Sequence, residues 1–210
     1  AAYRQVLTDG ADAGLDSIYF AQAVLQLQLG QEDEAFRLFQ QVGKEFASGD
    51  LAVEASTRAG HIAFVRERYK QAQQIYQPLL KHSEDPLVHG QAVLALFRLK
   101  RLEEGRKAGK KFTKRFKEAT EWSQRFQLEE GQYYLRAGNY KKALEAFQKI
   151  KEGEWADDGA FQVATTLWKQ NKAAPSEEGA ARALEASSRF VQENPTSLYA
   201  ADVDLRLGDY

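Results

Sequence analysis

The chain has 210 residues, of which 43% are hydrophobic and 28% are charged, and its formal net charge is −1. These proportions exclude a disordered or collagen-like chain, and the absence of cysteine excludes disulfides, a thiol nucleophile and cysteine-ligated zinc. No apolar run approaches the roughly 20 residues that a membrane-spanning helix needs, and a chain so close to neutral is not a general nucleic-acid binder. Only 15 glycines and 4 prolines interrupt it, too few for a β protein with many turns.

A short pattern recurs along the chain: a small residue is followed four positions later by an apolar or second small residue. It occurs at Ala35 with Phe39, Ala72 with Tyr76, Gly105 with Gly109, Ala143 with Phe147 and Ala183 with Ser187. Successive copies begin 33 to 40 residues apart. A further small or slim residue precedes each copy, at Ala23, Gly60, Val93, Gly131 and Ala164. Because a spacing of four places side chains on one helix face, each copy is predicted to be a closely packed antiparallel helix pair.

In chain order, the pattern predicts helices throughout. An unpaired helix is expected at about 2–9 and another at about 197–210. Between them, the predicted pairs are 15–29 with 32–46, 51–66 with 69–82, 86–99 with 102–117, 121–137 with 140–151, and 157–170 with 178–193. A single pair cannot bury both of its apolar faces, so successive pairs are expected to stack into an all-α solenoid.

The stack is predicted to be one continuous domain over residues 1–210. Its repeats are expected at about 15–47, 51–83, 86–118, 121–152 and 157–194, with partial repeats at 1–10 and 197–210. The polar segment 171–179 accounts for the longest repeat but is too short for a linker between domains. Methionine is absent and neither end helix has the polar capping face that a solenoid needs. We therefore expect a fragment of a longer repeat protein whose uncapped ends self-associate.

Three segments carry a family resemblance. GQYYLRAGNYKKALEAFQKI (131–150) and the segment 58–80 resemble the tetratricopeptide repeat (TPR) family, and the likeness extends over nearly the whole chain. Residues 190–210 resemble the TPR proteins of the bacterial envelope, such as the outer-membrane assembly lipoprotein and the Tol–Pal-associated periplasmic protein. The phrase Asn194-Pro195-Thr196-Ser197 and the later Leu207-Gly208 carry that likeness. The repeat at 86–118 departs most from the family, because Gly105 and Gly109 replace its usual Ala and aromatic residue.

The resemblance implies a right-handed superhelix in which the first helix of each pair lines a concave surface. Such proteins bind peptides or other proteins and are not normally catalysts. Applied to this chain, the implied concave lining is Phe20, Val24, Leu27, Thr57, His61, Phe64, Leu94, Phe97, Leu128, Gln132, Leu135, Phe161, Thr165 and Trp168. This stripe is apolar for a surface that faces water, which favours a groove for an amphipathic helix or an extended apolar peptide. The alternative is that tight curvature lets neighbouring repeats bury the stripe.

Some TPR grooves carry a Lys/Asn/Arg clamp for a terminal carboxylate. Arg58, Arg98 and Arg136 are the arginines nearest the predicted stripe, but they are scattered and form no matching set. A partner recognised by its terminal carboxylate is therefore not predicted.

The segment KRLEEGRKAGKKFTKRFK (100–117) is a strongly basic helix. It contains nine Lys and Arg residues and two Glu, a formal charge of +7, so the rest of the chain is acidic. The predicted inward face is Leu102, Gly105, Gly109, Phe112 and Phe116, and the candidate docking residues are Arg106, Lys107, Lys110, Lys111, Lys114 and Arg115. A solvated outer face is one interpretation, and a dock for an acidic partner, an anionic lipid or another polyanion is the other. Nucleic acid is not expected, because the helix has no interleaved exposed aromatic residues.

No catalytic signature occurs in the chain. It lacks GxxxxGK[ST], GxGxxG, HExxH and GxSxG motifs, so the common phosphate-loop, dinucleotide and hydrolase sites are not predicted. His82 and His89 flank a turn that also carries acidic residues, but such residues are ordinary at turns and no metal site is predicted. The adjacent pairs Glu129–Glu130 and Asp157–Asp158 cannot converge on one point of a helix, which argues against paired-carboxylate catalysis. Neither an enzyme nor a bound cofactor is expected.

The predicted function is that of a non-catalytic scaffold that binds a peptide or protein in the apolar groove. A structural spacer in envelope assembly or polymer export, and docking of a polyanion or anionic surface on 100–117, are the alternatives. The Asn-Pro-Thr-Ser phrase favours the bacterial envelope or periplasm, with the cytoplasm left open.

Overall fold

The computed structural model describes residues 14–207, which form eleven helices and no strand. The helices are α1 (Leu15–Gln28), α2 (Glu32–Glu45), α3 (Ala52–Val65), α4 (Tyr69–Leu79), α5 (Pro86–Arg98), α6 (Leu102–Arg115), α7 (Thr120–Arg136), α8 (Tyr140–Phe147), α9 (Ala156–Ala173), α10 (Glu177–Glu193) and α11 (Ala200–Leu207). The all-α prediction is confirmed, and each predicted helix within this range is present. The helix predicted at 2–9 and the last residues of 197–210 lie outside the described residues.

Within each unit, consecutive helices pack on one another, as a stack of antiparallel pairs requires. Four of the five predicted pairs show this packing: α1 on α2, α3 on α4, α7 on α8 and α9 on α10. Contacts between pairs continue the stack, with α2 on α3, α4 on α5, α8 on α9, and α10 on α11. The arrangement is an α-solenoid of helix pairs.

The chain divides into two compact units, the first ending at Leu99 and the second beginning at Lys100. The division falls in the turn between α5 and α6, the two helices predicted to form the third repeat. A single continuous solenoid therefore stays a prediction.

The first unit has its core between α1–α5. Phe39, Val42 and Tyr76 are fully buried there, and buried alanines fill the positions where helices approach most closely. Apolar clusters also form the core of the second unit's described residues. An aromatic cluster joins α6 to α7, with Phe112 edge-on to Phe126 at 5.3 Å between ring centroids. Further clusters centre on Phe147 and on Phe190.

The small residues of the repeat pattern set the distance between paired helices. A Cβ atom at Gly60 would overlap the ring of Tyr76, whose Cζ lies 2.8 Å from that position. A Cβ atom at Gly131 would overlap the ring of Phe147 in the same way, at 2.6 Å from its Cζ. Both rings are fully buried, so the predicted role of glycine in letting the helices approach is confirmed.

The turn within four of the pairs uses one residue in the left-handed region. The φ angles there are 73° at Gly30, 57° at Glu67, 61° at Lys100 and 71° at Gly138. Such a residue ends a helix and lets the next begin at once, and glycine adopts this conformation without steric cost. Two of the four turns therefore carry a side chain where glycine is favoured.

Side chains also fix where several helices begin. Asp85 caps α5 by accepting a hydrogen bond from Leu87 N at 2.8 Å, and Pro86 occupies the first helical position. Ser176 caps α10 by accepting one from Gly179 N at 3.0 Å, after the polar loop that makes this repeat the longest. None of the described helices has the length and hydrophobicity needed to cross a membrane.

Candidate functional site

In the first unit, the predicted groove stripe lies on α1 and α3 and is partly accessible. Phe20, Val24 and Leu27 are half-buried on α1, and Phe64 is half-buried on α3. The Phe20 ring packs edge-on against buried Phe39 at 5.4 Å between centroids, and this contact with the core holds the ring in position. We call Phe20, Val24, Leu27 and Phe64 the apolar stripe.

Polar groups border the apolar stripe on α3. The Arg58 guanidinium lies 5.3 Å from the centre of the Phe20 ring and donates to Glu54 Oε1 at 2.7 and 3.0 Å. These contacts hold it over the aromatic ring, whose face attracts a cation. Thr57 is half-buried and donates to Val53 O at 2.8 Å, so its hydroxyl is occupied within the helix.

A buried hydrogen-bond chain holds His61 in place. Gln91 on α5, only 4% exposed, donates from Nε2 to His61 Nδ1 at 2.8 Å. The buried Tyr76 hydroxyl donates to Gln91 Oε1, and burial raises the pKa of Tyr76, which keeps this proton in place. Because Nδ1 accepts, the neutral His61 ring carries its hydrogen on Nε2. His61 itself is exposed, so the chain positions one polar group beside the apolar stripe.

Gln91 was not singled out from the sequence. Its only signal was a polar residue in the otherwise apolar run QAVLALF, which marks a buried group in need of partners. Neither partner is close in sequence, since they lie 15 and 30 residues away.

Five residues predicted to line the groove are buried instead. Leu94 and Phe97 on α5 are 2% and 3% exposed, and Leu128 and Phe161 in the second unit are each 8% exposed. Thr165 is also buried. Such side chains cannot touch a partner unless a helix moves, so these positions belong to the core and correct the sequence-based lining.

The reason for the burial is visible in the second unit. Phe161 stacks on Tyr199 with centroids 4.2 Å apart, so the segment that leads into α11 covers it. Leu128 belongs to the cluster around Phe147. Here neighbouring helices bury the stripe, as the alternative interpretation proposed. Gln132, Leu135 and Trp168 remain half-buried, and the Lys172 ammonium lies 4.9 Å from the Trp168 ring centre.

The acidic pair at the start of α9 fastens α11 rather than forming a reactive site. The Ser197 hydroxyl donates to Asp157 Oδ2 at 2.9 Å, and the Tyr199 hydroxyl donates to Asp158 Oδ1 at 2.7 Å. The bond to Asp158 and burial raise the pKa of Tyr199 to about 12. Each carboxylate is thus held by one hydroxyl of the segment before α11. The Ser of the Asn-Pro-Thr-Ser phrase consequently has a structural role.

The predicted inward face of the basic helix α6 is buried or half-buried, as expected. Gly105, Gly109 and Phe112 are buried, while Leu102 and Phe116 are half-buried. On the outer side, Arg106 pairs with Glu130 at 3.2 Å and with Glu103 at 3.4 Å. Arg115 is exposed, and its guanidinium lies 5.3 Å from the Phe116 ring centre.

Four lysines of α6 have no ion-pair partner among the described residues. Lys107, Lys110, Lys111 and Lys114 are all exposed. With Glu103 and Arg106 they line a surface hollow of about 370 Å³. We call the four the lysine face. The structure therefore brings together five of the six predicted docking residues.

The histidine-bearing turn shows ordinary structural contacts. His89 Nε2 makes a hydrogen bond with Ser83 O at 2.8 Å. Between residues 14 and 207, no group of three or more His, Asp or Glu side chains is arranged to hold a metal ion.

These features define the class of the protein: a helical-repeat protein built from stacked antiparallel helix pairs. Three solved structures resemble it. A tetratricopeptide repeat protein from Parabacteroides merdae matches with a TM-score of 0.63 at 15% identity, over 92% of this chain and 73% of that one. YrrB, a TPR protein with an unusual peptide-binding site, matches with a TM-score of 0.59 at 16% identity, over 97% and 98%. MamA AMB-1 matches with a TM-score of 0.55 at 14% identity, over 90% and 98%.

The chain accordingly has the tetratricopeptide repeat fold, and the resemblance drawn from its sequence is confirmed at that level. Neither a protein-family model nor a curated protein sequence matches it.

Proposed function

We propose that the protein is a non-catalytic scaffold that binds an apolar peptide or amphipathic helix of a partner along the apolar stripe. The observation that carries the proposal is the half-buried state of Phe20, Val24, Leu27 and Phe64, all of which pack against the buried core of the first unit. Side chains that already pack against the core and are still partly exposed can bury more area against a partner at little cost in conformational entropy. YrrB shares the fold and is described as having a peptide-binding site, which supports peptide binding as the type of activity.

Arg58 and His61 supply the polar part of the recognition. Both are positioned by partners within the unit, Arg58 by Glu54 and His61 by Gln91. Polar groups held in this way fix the orientation of a peptide whose apolar side chains face the apolar stripe. In the second unit, Gln132, Leu135 and Trp168 are the residues of the predicted lining that stay half-buried.

The test uses neighbouring residues on the same helix. Peptides are selected on the 210-residue chain by phage display, and their affinities are then measured for Phe64→Glu and for the control Val65→Glu. Val65 is 60% exposed and lies off the predicted stripe. We expect Phe64→Glu to weaken binding at least about tenfold and Val65→Glu to leave it within about twofold.

A second pair of variants, on α1, controls for a loss of binding that is caused by a folding defect. Leu27→Glu should weaken binding, and Leu25→Glu, at a position 52% exposed, should not. Circular dichroism checks that every variant stays helical. Equal affinities within both pairs would reject the assignment of the stripe. A selection that enriches no peptide would reject the scaffold and favour the structural spacer.

The proposed location is the bacterial envelope, supported by the likeness of residues 190–210 to envelope TPR proteins. Protease added to intact spheroplasts should degrade a periplasmic copy of the protein, whereas a cytoplasmic copy would be protected.

A further inference from the structure

The lysine face on α6 is a second accessible surface, separate from the apolar stripe. At about 1.5 Å per residue, its four ammonium groups extend over roughly 10 Å of helix. Lys107 is three and four residues from Lys110 and Lys111, and these are four and three residues from Lys114, so the four lysines lie on the same side of α6.

The carboxylates near this surface are already used by arginines. Glu104 accepts two hydrogen bonds from Arg101, at 2.6 and 2.7 Å, and these hold the pKa of Glu104 below its usual range. Glu130 and Glu103 both pair with Arg106, and their charges raise the pKa of that guanidinium. Arg101 and Arg106 are thus neutralised locally, whereas the four lysines are not.

Stabilisation of α6 does not explain why the four lysines are present on this helix. Lys114 and Arg115 in the last turn are favoured by the helix dipole, but Lys107, Lys110 and Lys111 lie further from the carboxyl end. Like charges three or four residues apart repel each other along a helix. The helix also contains two interior glycines, Gly105 and Gly109, which disfavour it further. Negative charge supplied by another molecule would relieve the repulsion between these lysines.

We propose that the lysine face binds an acidic segment of a partner protein, whose carboxylates pair with Lys107, Lys110, Lys111 and Lys114. The hollow of about 370 Å³ between these side chains suits a protruding chain better than a flat lipid surface. The outer face of α6 also carries no exposed apolar residue that could insert between lipids, since Phe112 is 3% exposed. Its lack of an exposed aromatic residue likewise leaves no platform for stacking nucleic-acid bases.

The test measures binding of a fluorescein-labelled peptide of ten glutamates to the full 210-residue chain. The variant replaces all four lysines of the face with alanine, and the control replaces four exposed lysines elsewhere: Lys44, Lys70, Lys81 and Lys149. Both variants lose the same charge, so a difference between them reports the position of the lysines. We expect the lysine-face variant to bind at least about tenfold more weakly and the control to bind within about twofold of the wild type.

Further measurements decide between the sources of negative charge. Failure of the wild type to bind the peptide, or equal losses in both variants, would overturn the proposal. Tighter binding to phosphatidylserine vesicles or to a ten-nucleotide oligo-dT than to the peptide would overturn it in favour of a lipid or nucleic acid. Alanine favours helix, so the lysine-face variant should be no less stable than the wild type. A lower unfolding temperature would show that the lysines stabilise the unit itself.

Discussion

Gly60 and Gly131 show how single residues set the spacing of paired helices. In each case the ring of the following helix occupies the space where a Cβ would stand. The backbone of one helix therefore packs directly against an aromatic ring of the other. This contact explains why the repeat pattern combines a small residue with a large apolar one.

Gly131→Ala is expected to destabilise the second unit by about 1–2 kcal/mol. The added methyl group overpacks the site by about 1–3 kcal/mol, which outweighs the gain in helix propensity of up to about 1 kcal/mol. Trp122, Trp155 and Trp168 are the three tryptophans of the chain and all belong to this unit, so fluorescence during denaturation reports it. The added change Phe147→Leu should recover part of the loss. Unchanged stability in Gly131→Ala would contradict the close contact.

A second prediction at the residue scale concerns Glu67. Its φ of 57° is one that glycine adopts freely and a residue with a Cβ does not. Glu67→Gly should raise the free energy of unfolding by about 0.5–1 kcal/mol, since relief of strain exceeds the entropy that glycine adds to the unfolded chain. Glu67→Ala is the control, because it removes the same side chain without relieving the strain. Chemical denaturation followed by circular dichroism measures both, and an equal effect of the two would refute the explanation.

At the scale of the element, α11 is held by hydroxyl groups as well as by apolar contacts. Ser197 and Tyr199 donate to the two carboxylates that begin α9, and the Tyr199 ring covers Phe161. Val203 is 1% exposed and completes the apolar contact. A short helix of eight residues would not be stable alone, so these contacts are what order it.

Because the pKa of Tyr199 is raised, the attachment of α11 weakens at alkaline pH. Its folded-state pKa is raised to about 12, above the unfolded value of about 10. Below pH 10 both states keep the proton, and the stabilisation is fully present. Between pH 10 and 12 the unfolded chain loses its proton first, so stability falls as pH rises.

Tyr199→Phe should remove this part of the pH dependence. We expect the wild type to lose more stability than the variant between about pH 9 and pH 11, measured by tryptophan fluorescence in urea. The comparison cancels the titration of the other tyrosines and lysines, which both proteins share. Parallel curves for the two proteins would show that the hydroxyl does not hold α11.

At the scale of the whole molecule, the described chain has apolar side chains that no helix covers. Leu198 is 95% exposed and Leu205 is 76% exposed, both beside or within α11. Exposed apolar groups of this size favour association, because each removes apolar surface from water when buried.

The 210-residue chain is therefore expected to self-associate at high concentration. Sedimentation equilibrium should show a mass that rises with concentration for the wild type and stays monomeric for Leu198→Glu with Leu205→Glu. The control Leu184→Glu changes an exposed leucine on α10, 42% exposed, and should leave association unchanged. A wild type that stays monomeric throughout would contradict the expectation.

Helix positions, the pairing of helices within each unit and the TPR fold could all be read from the sequence. They depend on interactions within about 40 residues, such as the spacing of Ala143 and Phe147 or the turn at Gly138, and a local pattern records these directly. The lysine face was predicted for the same reason, since one helix carries all of it.

Which residues of the predicted lining are accessible was decided only by the tertiary structure. Phe64 and Phe97 occupy similar places in the repeat pattern, yet one is half-buried and the other is 3% exposed. The hydrogen-bond chain from Tyr76 through Gln91 to His61, and the attachment of Tyr199 to Asp158, likewise join residues of different helices. Burial and such contacts depend on which helices pack together in space, and a one-dimensional pattern specifies the face of a helix without specifying what covers it.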